Sequence, residues 1–305
     1  MTTLELGGRT VSISNASKTF FPDDDITKGD VVDYYRRIAP WMLPWLRDHP
    51  VVMHRFPDGI HHEGFFAKQA PEGLPDWVER TTVRHGKDAT TDYVVCQDAA
   101  TLVVMANLGC LVPHVLLSRV GEPDRPDQIV FDLDPSGDFD DAAVEQVRLV
   151  AGVVHDCLDD VGAASFVKSS GSRGVHIHVP IHGCPGFDES RHLARQLARR
   201  VAHAYPDTVT LAQRKADRGD RLYLDVLRNG YGQHAVAAYA LRALPTAPVA
   251  VPLDWSEVAD ARFHPRRLTM RTVFRRLAQK QDPWAEFDDR RVSFDHLQRC
   301  VRAQT

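Results

Sequence analysis

The order of apolar periodicities between residues 128 and 227 leaves few folds open to this chain. Residues 128–134, QIVFDLD, alternate at the two-residue period of a strand, and residues 140–160 shift to the helical period. SFVKSS and VHIHVP then read as strands, residues 188–205 as a second amphipathic helix, and RLYLDVL as a further strand. Strand, helix, strand, strand, helix, strand is the β-α-β-β-α-β order of a ferredoxin-like or RNA-recognition-like mixed sheet, so an α+β fold is expected. That order fixes neighbours in space, not chemistry.

Upstream, Thr27-Lys-Gly-Asp30 has the form of a capping box ahead of VVDYYRRIAPWMLPWL, a helix expected to be interrupted or kinked at Pro40 and Pro44. β-prone segments around residues 51–56, 64–68 and 92–96, with a helix over 99–108, complete an N-terminal α/β module of about residues 1–125. The central sheet takes about residues 126–260, followed by a helix over 265–279 and an irregular aromatic end. No repeat, low-complexity tract or long Gly/Ser linker divides the chain, so residues 1–305 are expected to form one domain.

Composition narrows the class. No run approaches the roughly 18 apolar residues of a membrane span, and MTTLELGGRT is too polar for a signal peptide, so a cytoplasmic protein without a membrane partner is expected. The five cysteines, Cys96, Cys110, Cys157, Cys184 and Cys300, are scattered and never form C-x-x-C, which points to buried apolar roles instead of disulfides or a zinc ribbon. A net charge of -4 excludes a protein that binds nucleic acid by bulk attraction alone. The charge is nonetheless segregated, with basic stretches at 191–200, 214–221 and 262–276 and acidic ones at 23–25 and 138–141.

In QIVFDLD the strand period puts Ile129, Phe131 and Leu133 on one face and Asp132 and Asp134 together on the other. Two carboxylates so close call for a divalent metal, a shared proton or a basic partner, and hard oxygen ligands favour magnesium or manganese. RLYLDVL repeats the logic, with Leu222, Leu224 and Val226 turned to a core and Tyr223 and Asp225 turned away. Asp132, Asp134 and Asp225 match the three carboxylates of a two-metal phosphoryl-transfer site. The competing reading is that these aspartates only end strands in solvent.

Between the acidic strands lies SSGSRGVHIHVP, residues 169–180. Its glycines let a backbone approach a ligand, Ser172 and Arg173 offer donors to phosphate oxygens, and His176 opens a strand that points back at them. Its bland alternative is a hairpin loop. A soft-metal site of His176, His178, His182 and Cys184 is disfavoured by the intervening Pro180 and Gly183. Arg214, Lys215, Arg218 and Arg242 are further donors in this half.

FDLDP, SSGSRGVHIHVP and LYLDV, in this order and at these separations, resemble the three motifs of archaeo-eukaryotic primase-polymerases. SNASKTFFPDDDITKGDVVDYY and HEGFFAKQ extend the likeness, over nearly the whole chain, to the polymerase domain of bacterial ligase D. The resemblance implies a primase-polymerase core and a template-directed nucleotidyltransferase that fills gaps or extends ends in DNA repair by non-homologous end joining. It implies two divalent ions, Mn2+ or Mg2+, on Asp132, Asp134 and Asp225, with Ser172, Arg173, His176, Arg218 and Arg242 at the incoming NTP or dNTP. Lys18 and Lys28 match lysines that hold the 5'-phosphate of a gapped or broken DNA strand, Phe65 or Phe66 would stack on a base, and Lys68 would meet a phosphate. Only seven residues of this chain are lysine, so three at such positions add weight to the match. Manganese stimulation, ribonucleotide use, a separate ligase, an end-binding protein and action at the bacterial nucleoid are implied too.

Two departures stand out. LGCLVPHVLL carries Leu111 where the family commonly has a histidine, so that either His114 substitutes through a shifted backbone or that contact is missing, and Arg228 replaces a polar residue near the third acid. The zinc cysteines of replicative primases are missing, and no ligase or nuclease module is expected within these residues. Two rival functions remain. A haloacid-dehalogenase-type phosphatase would use Asp132 as nucleophile, and a non-catalytic DNA-end-binding protein would use only Lys18 and Lys28.

Overall fold

The computed structural model describes residues 2–86 and 89–303. The chain forms two compact units, one from Met1–Pro123, His234–Ala250 and Leu268–Arg276, the other from Asp124–Gln233, Val251–Arg267 and Leu277–Thr305.

The second unit contains the expected βαββαβ core. Its strands lie in the order Val209–Thr210, Leu222–Asp225, Gln128–Asp134, Val175–His182, Phe166–Ser169 and Pro252–Leu253, with Val292–Ser293 pairing in parallel to Val175–His182. Counting only the four strands of the motif, the spatial order is fourth, first, third, second, as the ferredoxin-like pattern requires. Helices Asp141–Asp159 and Phe187–Ala204 pack on this sheet. Leu193, Leu197 and Val201, each one helical turn apart, are fully buried, as are Ile129, Phe131 and Leu133 on the central strand. Each such side chain contributes about 1.5–3 kcal/mol on removal from water. Apolar burial on one face thereby forces Asp132 and Asp134 to the other.

A side chain completes the central strand. Backbone pairing between Gln128–Asp134 and Leu222–Asp225 covers only residues 132–134, and beyond it Asn229 takes over. Asn229 is fully buried; its Oδ1 accepts from Val130 N at 2.8 Å, while its Nδ2 donates to Val130 O at 2.7 Å and to Val226 O at 3.0 Å. One amide thus imitates a paired backbone and lets the chain leave the sheet directly after Asp225.

In the first unit, strands His234–Val236, Cys110–Leu116, Pro50–Arg55, Ala89–Val95 and Arg80–His85 are neighbours in that order, and Phe65–Ala67 pairs with Pro50–Arg55. Helix Lys28–Met42 starts at the expected capping box, with Thr27 and Asp30 bonded reciprocally. The expected break at Pro40 does not occur. Pro40 lies on the exposed face near the helix end, where the carbonyl that loses its partner meets water, and the helix only then tightens into the Leu43–Trp45 3-10 turn that contains Pro44.

The helix expected over 265–279 shrinks to Val273–Leu277. Residues 268–270 spend their backbone groups on 247–249 instead: Val249 N donates to Leu268 O and Met270 N to Ala247 O, each at 2.9 Å. The end of the chain, expected to be irregular, forms helix Phe294–Ala303, anchored by buried Phe294, Leu297 and Val301. Cys96, Cys110 and Cys184 are buried as expected, whereas Cys157 and Cys300 are partly exposed.

The Cys110–Leu116 strand is buried along its whole length and carries His114 into an aromatic cluster. The His114 ring meets His234 edge-on at 4.9 Å and Phe66 at 5.4 Å, and Phe66 stacks on His54 at 4.0 Å. Burial, then the charges of His234 and Arg242, hold His114 well below the usual imidazole range, and burial with Arg242 lowers His54 to about 4. Leu111 is fully buried, and its carbonyl accepts from Tyr35 Oη at 2.6 Å, so it belongs to the core.

Two outcomes follow from this packing. Asn229→Ala strands the N–H and C=O of Val130 in the interior, and the urea midpoint should fall by the equivalent of about 2–4 kcal/mol. A histidine whose folded pKa is depressed contributes stability that is complete above its unfolded value near 6.5 and lost as pH falls below it. His114 should therefore contribute to a loss of stability as the pH is lowered from 7 to 5. Urea titrations of His114→Phe should show a correspondingly flatter acid limb than the natural protein.

Candidate active site

The two acidic strands run antiparallel with Asp132 opposite Asp225 and Asp134 opposite Tyr223. Arg228 reaches back over the pair, its Nε 3.5 Å from Asp132 Oδ2 and 4.0 Å from Asp225 Oδ2. Asp225 is fixed by Leu227 N, which donates to Oδ1 at 2.7 Å, and by Tyr223 Oη at 3.1 Å. Asp134 is the open member, its side chain 43% exposed, with Arg218 Nη1 at 3.4 Å. The Arg218 guanidinium also lies 3.9 Å above the Tyr223 ring.

Burial, together with the charges of Asp225 and Asp134, lifts the Asp132 carboxyl to about 6, although Arg228 and Lys168 pull it down. A half-buried carboxylate facing a second one, with a third two residues along, is a site short of positive charge. Three carboxylates on a rigid sheet form a hard-oxygen donor set, and Asp132, Asp134 and Asp225 fit a divalent ion of the magnesium or manganese type on that ground. Among the described residues, no group of three or more His, Cys, Asp or Glu side chains stands close enough together to hold a metal ion.

The Gly-Ser loop abuts these acids through the main chain. Val175 pairs with Leu133 and His176 with Asp132, while a β-carbon on Gly174 would come within 1.8 Å of Leu133 O. The loop folds around Ser170, whose Oγ accepts from Ser172 N at 3.2 Å and Gly174 N at 3.1 Å. Arg173 donates to the carbonyls of Pro135 and Gly137, at 2.9 and 2.6 Å, and Arg266 Nε donates to Ser172 O at 2.8 Å. Both guanidiniums approach the Phe139 ring, at 5.8 and 4.5 Å. His176 Nε2 lies 3.4 Å from Asp132 Oδ1.

Asp132, Asp134, Asp225, Ser172, Arg173, His176 and Arg218 therefore lie on one sheet or on the loops that border it. Sequence reasoning missed Arg266 and Tyr223, which steady the loop and the third acid, and Lys168, buried beside His176. Arg266 lay within a stretch read only as basic; Lys168 alternates with core-facing Val167 and so shares the face of His176 and Asp132. The zinc alternative is not assembled: His178 Nδ1 bonds Gln128 Oε1 at 2.7 Å, Cys184 Sγ donates to Gly186 O, and His182 is exposed.

The other predicted residues belong to the first unit. Phe65 and Phe66 are exposed on their short strand, with Arg55 over Phe65 at 5.2 Å, and Lys68 is exposed just beyond. Lys28 heads its helix almost buried, Nζ 3.1 Å from Ser14 Oγ, and burial and the charge of Lys18 lower its pKa. Lys18 pairs with Asp58. Arg242 is half-buried, with its N–H on Pro248 O at 2.7 Å.

Similarity to known proteins bears on this arrangement. A family model described as LigD, primase-polymerase domain, matches residues 27–284. The chain is 32% identical over 300 residues, 96% of its length, to the multifunctional non-homologous end joining DNA repair protein LigD of Mycobacterium tuberculosis. It is 29% identical over 278 residues, 91% of its length, to the bifunctional non-homologous end joining protein LigD of Bacillus subtilis. It spans 39% and 44% of those relatives, less than half of each. Among solved structures, the polymerase domain of Mycobacterium tuberculosis ligase D, in complex with DNA, superposes with a TM-score of 0.84 at 31% identity, covering 92% of this chain and 99% of that one. The chain therefore belongs to the LigD primase-polymerase domain family, whose members are metal-dependent nucleotidyltransferases.

Proposed function

We propose that the chain transfers nucleotides, under direction of a template, to a 3'-hydroxyl with release of pyrophosphate, filling gaps or extending ends during end joining of DNA. The observation that carries this reading is the register that sets Asp132 against Asp225 with the Ser172 loop on the adjoining strand. Mn2+ or Mg2+ on Asp132, Asp134 and Asp225 would supply the positive charge that activates the hydroxyl and offsets charge on the phosphoryl oxygens. The work of the protein is then placement. Ser172, Arg173, His176 and Arg218 present donors to a nucleoside triphosphate. The main-chain ties of Arg173 and Arg218 hold both guanidiniums before any ligand arrives, so little ordering remains to be done on binding.

DNA is the proposed partner, as it is in the complex of the mycobacterial polymerase domain. Lys18 and Lys28 are proposed to take the 5'-phosphate at the far side of a gap, supported by their juxtaposition: Lys28 N donates to Lys18 O at 2.7 Å, and the charge of Lys18 helps to lower the pKa of Lys28. Phe65 and Phe66 offer exposed ring faces for a base and Lys68 a cation for a phosphate. A ligase and an end-binding protein would complete the repair, and ribonucleotides with manganese are the proposed preferred substrates.

A labelled primer on a gapped duplex tests this. Extension should be stronger with a 5'-phosphate at the gap and with manganese, and Asp132→Ala should lower it by at least about 100-fold, the scale of one preorganised charge. Lys28→Ala should remove the advantage of the 5'-phosphate while leaving extension of a simple primer–template intact. Millimolar Mn2+ should raise the thermal midpoint of the natural protein and not that of Asp132→Ala, since only a bound ion stabilises the folded state. Full activity in Asp132→Ala, or hydrolysis of a generic phosphate ester in place of extension, would overturn the reading.

A further inference from the structure

We propose that Lys168 is a positioning residue that acts through His176: by donating to Nδ1 it locks the ring and commits the Nε2–H of His176 to the ligand side of the site. The proposal rests on the nucleotidyltransferase reading for what that ligand is, and on geometry for everything else. Lys168 lies on the Phe166–Ser169 strand and is 1% exposed, among the largest fully buried side chains of the chain. An ammonium group withdrawn from water costs several kcal/mol unless it meets acceptors, so its presence inside the sheet demands a purpose. The register sets Lys168 opposite His176, and Nζ lies 3.1 Å from His176 Nδ1.

An ammonium group can only donate. Nδ1 must therefore offer its lone pair, and the proton of the neutral ring sits on Nε2, the atom 3.4 Å from Asp132 Oδ1. His178, two residues on and on the same face of the strand, is held the other way: its Nδ1 faces Gln128 Oε1, an acceptor, at 2.7 Å. Neighbouring histidines of one strand thus carry their protons on different nitrogens because different partners face them. For a group that must meet an anionic phosphate, the distinction decides function. A lone pair at Nε2 would repel the ligand, whereas an N–H donates to it. Lys168 also adds positive charge behind the acids, and its charge counters the rise at Asp132.

Nitrogen NMR of protein labelled in histidine tests the assignment directly, with the His176 signals identified by their loss in His176→Gln. In the natural protein Nε2 of His176 should be protonated, and Nδ1 should show the shift of an unprotonated nitrogen that accepts a hydrogen bond. In Lys168→Met, which keeps the length of the side chain and removes the donor, Nδ1 should move toward the value of an acceptor without a donor. The KM for the nucleotide should rise and kcat/KM fall about 10- to 100-fold, the range for a partner that orients a ligand-binding histidine. Affinity for the primer–template should stay unchanged. Lys168→Arg, which retains a donor, should restore the nitrogen shift and most of the KM, and it carries the test if Lys168→Met does not fold. A proton on Nδ1 in the natural protein, or unchanged His176 shifts and KM in Lys168→Met, would overturn the proposal. A natural protein that extends no primer would sink the polymerase reading and leave the nitrogen measurement to judge Lys168 on its own.

Discussion

Everything in the candidate site depends on the repulsion between two carboxylates that a sheet register holds face to face. Asp132 and Asp225 are paired residues of antiparallel strands, and the core packing of Phe131, Leu133 and Leu224 prevents either strand from slipping. A slip of one residue would bury the acids and expose the core, so the apolar face secures the acidic one. The unfavourable charge is moderated by Arg228 and Lys168, placed on opposite flanks. Such an arrangement trades some stability for readiness to take up positive charge.

Much of this was legible before any coordinates. Strand alternation around Asp132 and Asp225 is a two-residue rule with no competing period, so the facing of both acids could be read directly, and the βαββαβ order set which strands would be neighbours. The loop from Ser169 to Gly174 could be located, but not the reason for Gly174, because its contact is with a carbonyl distant in sequence. Phe294, Leu297 and Val301 carry a helical spacing that the surrounding charges obscured. Residues 268–270 went the other way: their local preference for helix lost to backbone bonds with 247–249, which no local pattern announces.

Side-chain partnerships were the least legible layer. Nothing in the local sequence singles out Asn229, yet it serves as a substitute strand for Val130. Arg266 reads as one of many surface arginines, yet it holds the Ser172 carbonyl. Both roles arise from three-dimensional neighbours more than 90 positions away. Leu111, which stands where the family's histidine would be, is a core residue whose carbonyl accepts from Tyr35 Oη.

The close approach of Gly174 to the carbonyl of Leu133 has a mechanical meaning. Two main chains in contact leave no side chain between them, so the spacing of the loop backbone from the acidic strand cannot be retuned by a rotamer change at the joint. Main-chain contact thus works like a rivet between loop and strand, and a different backbone spacing would require the sheet itself to be rebuilt.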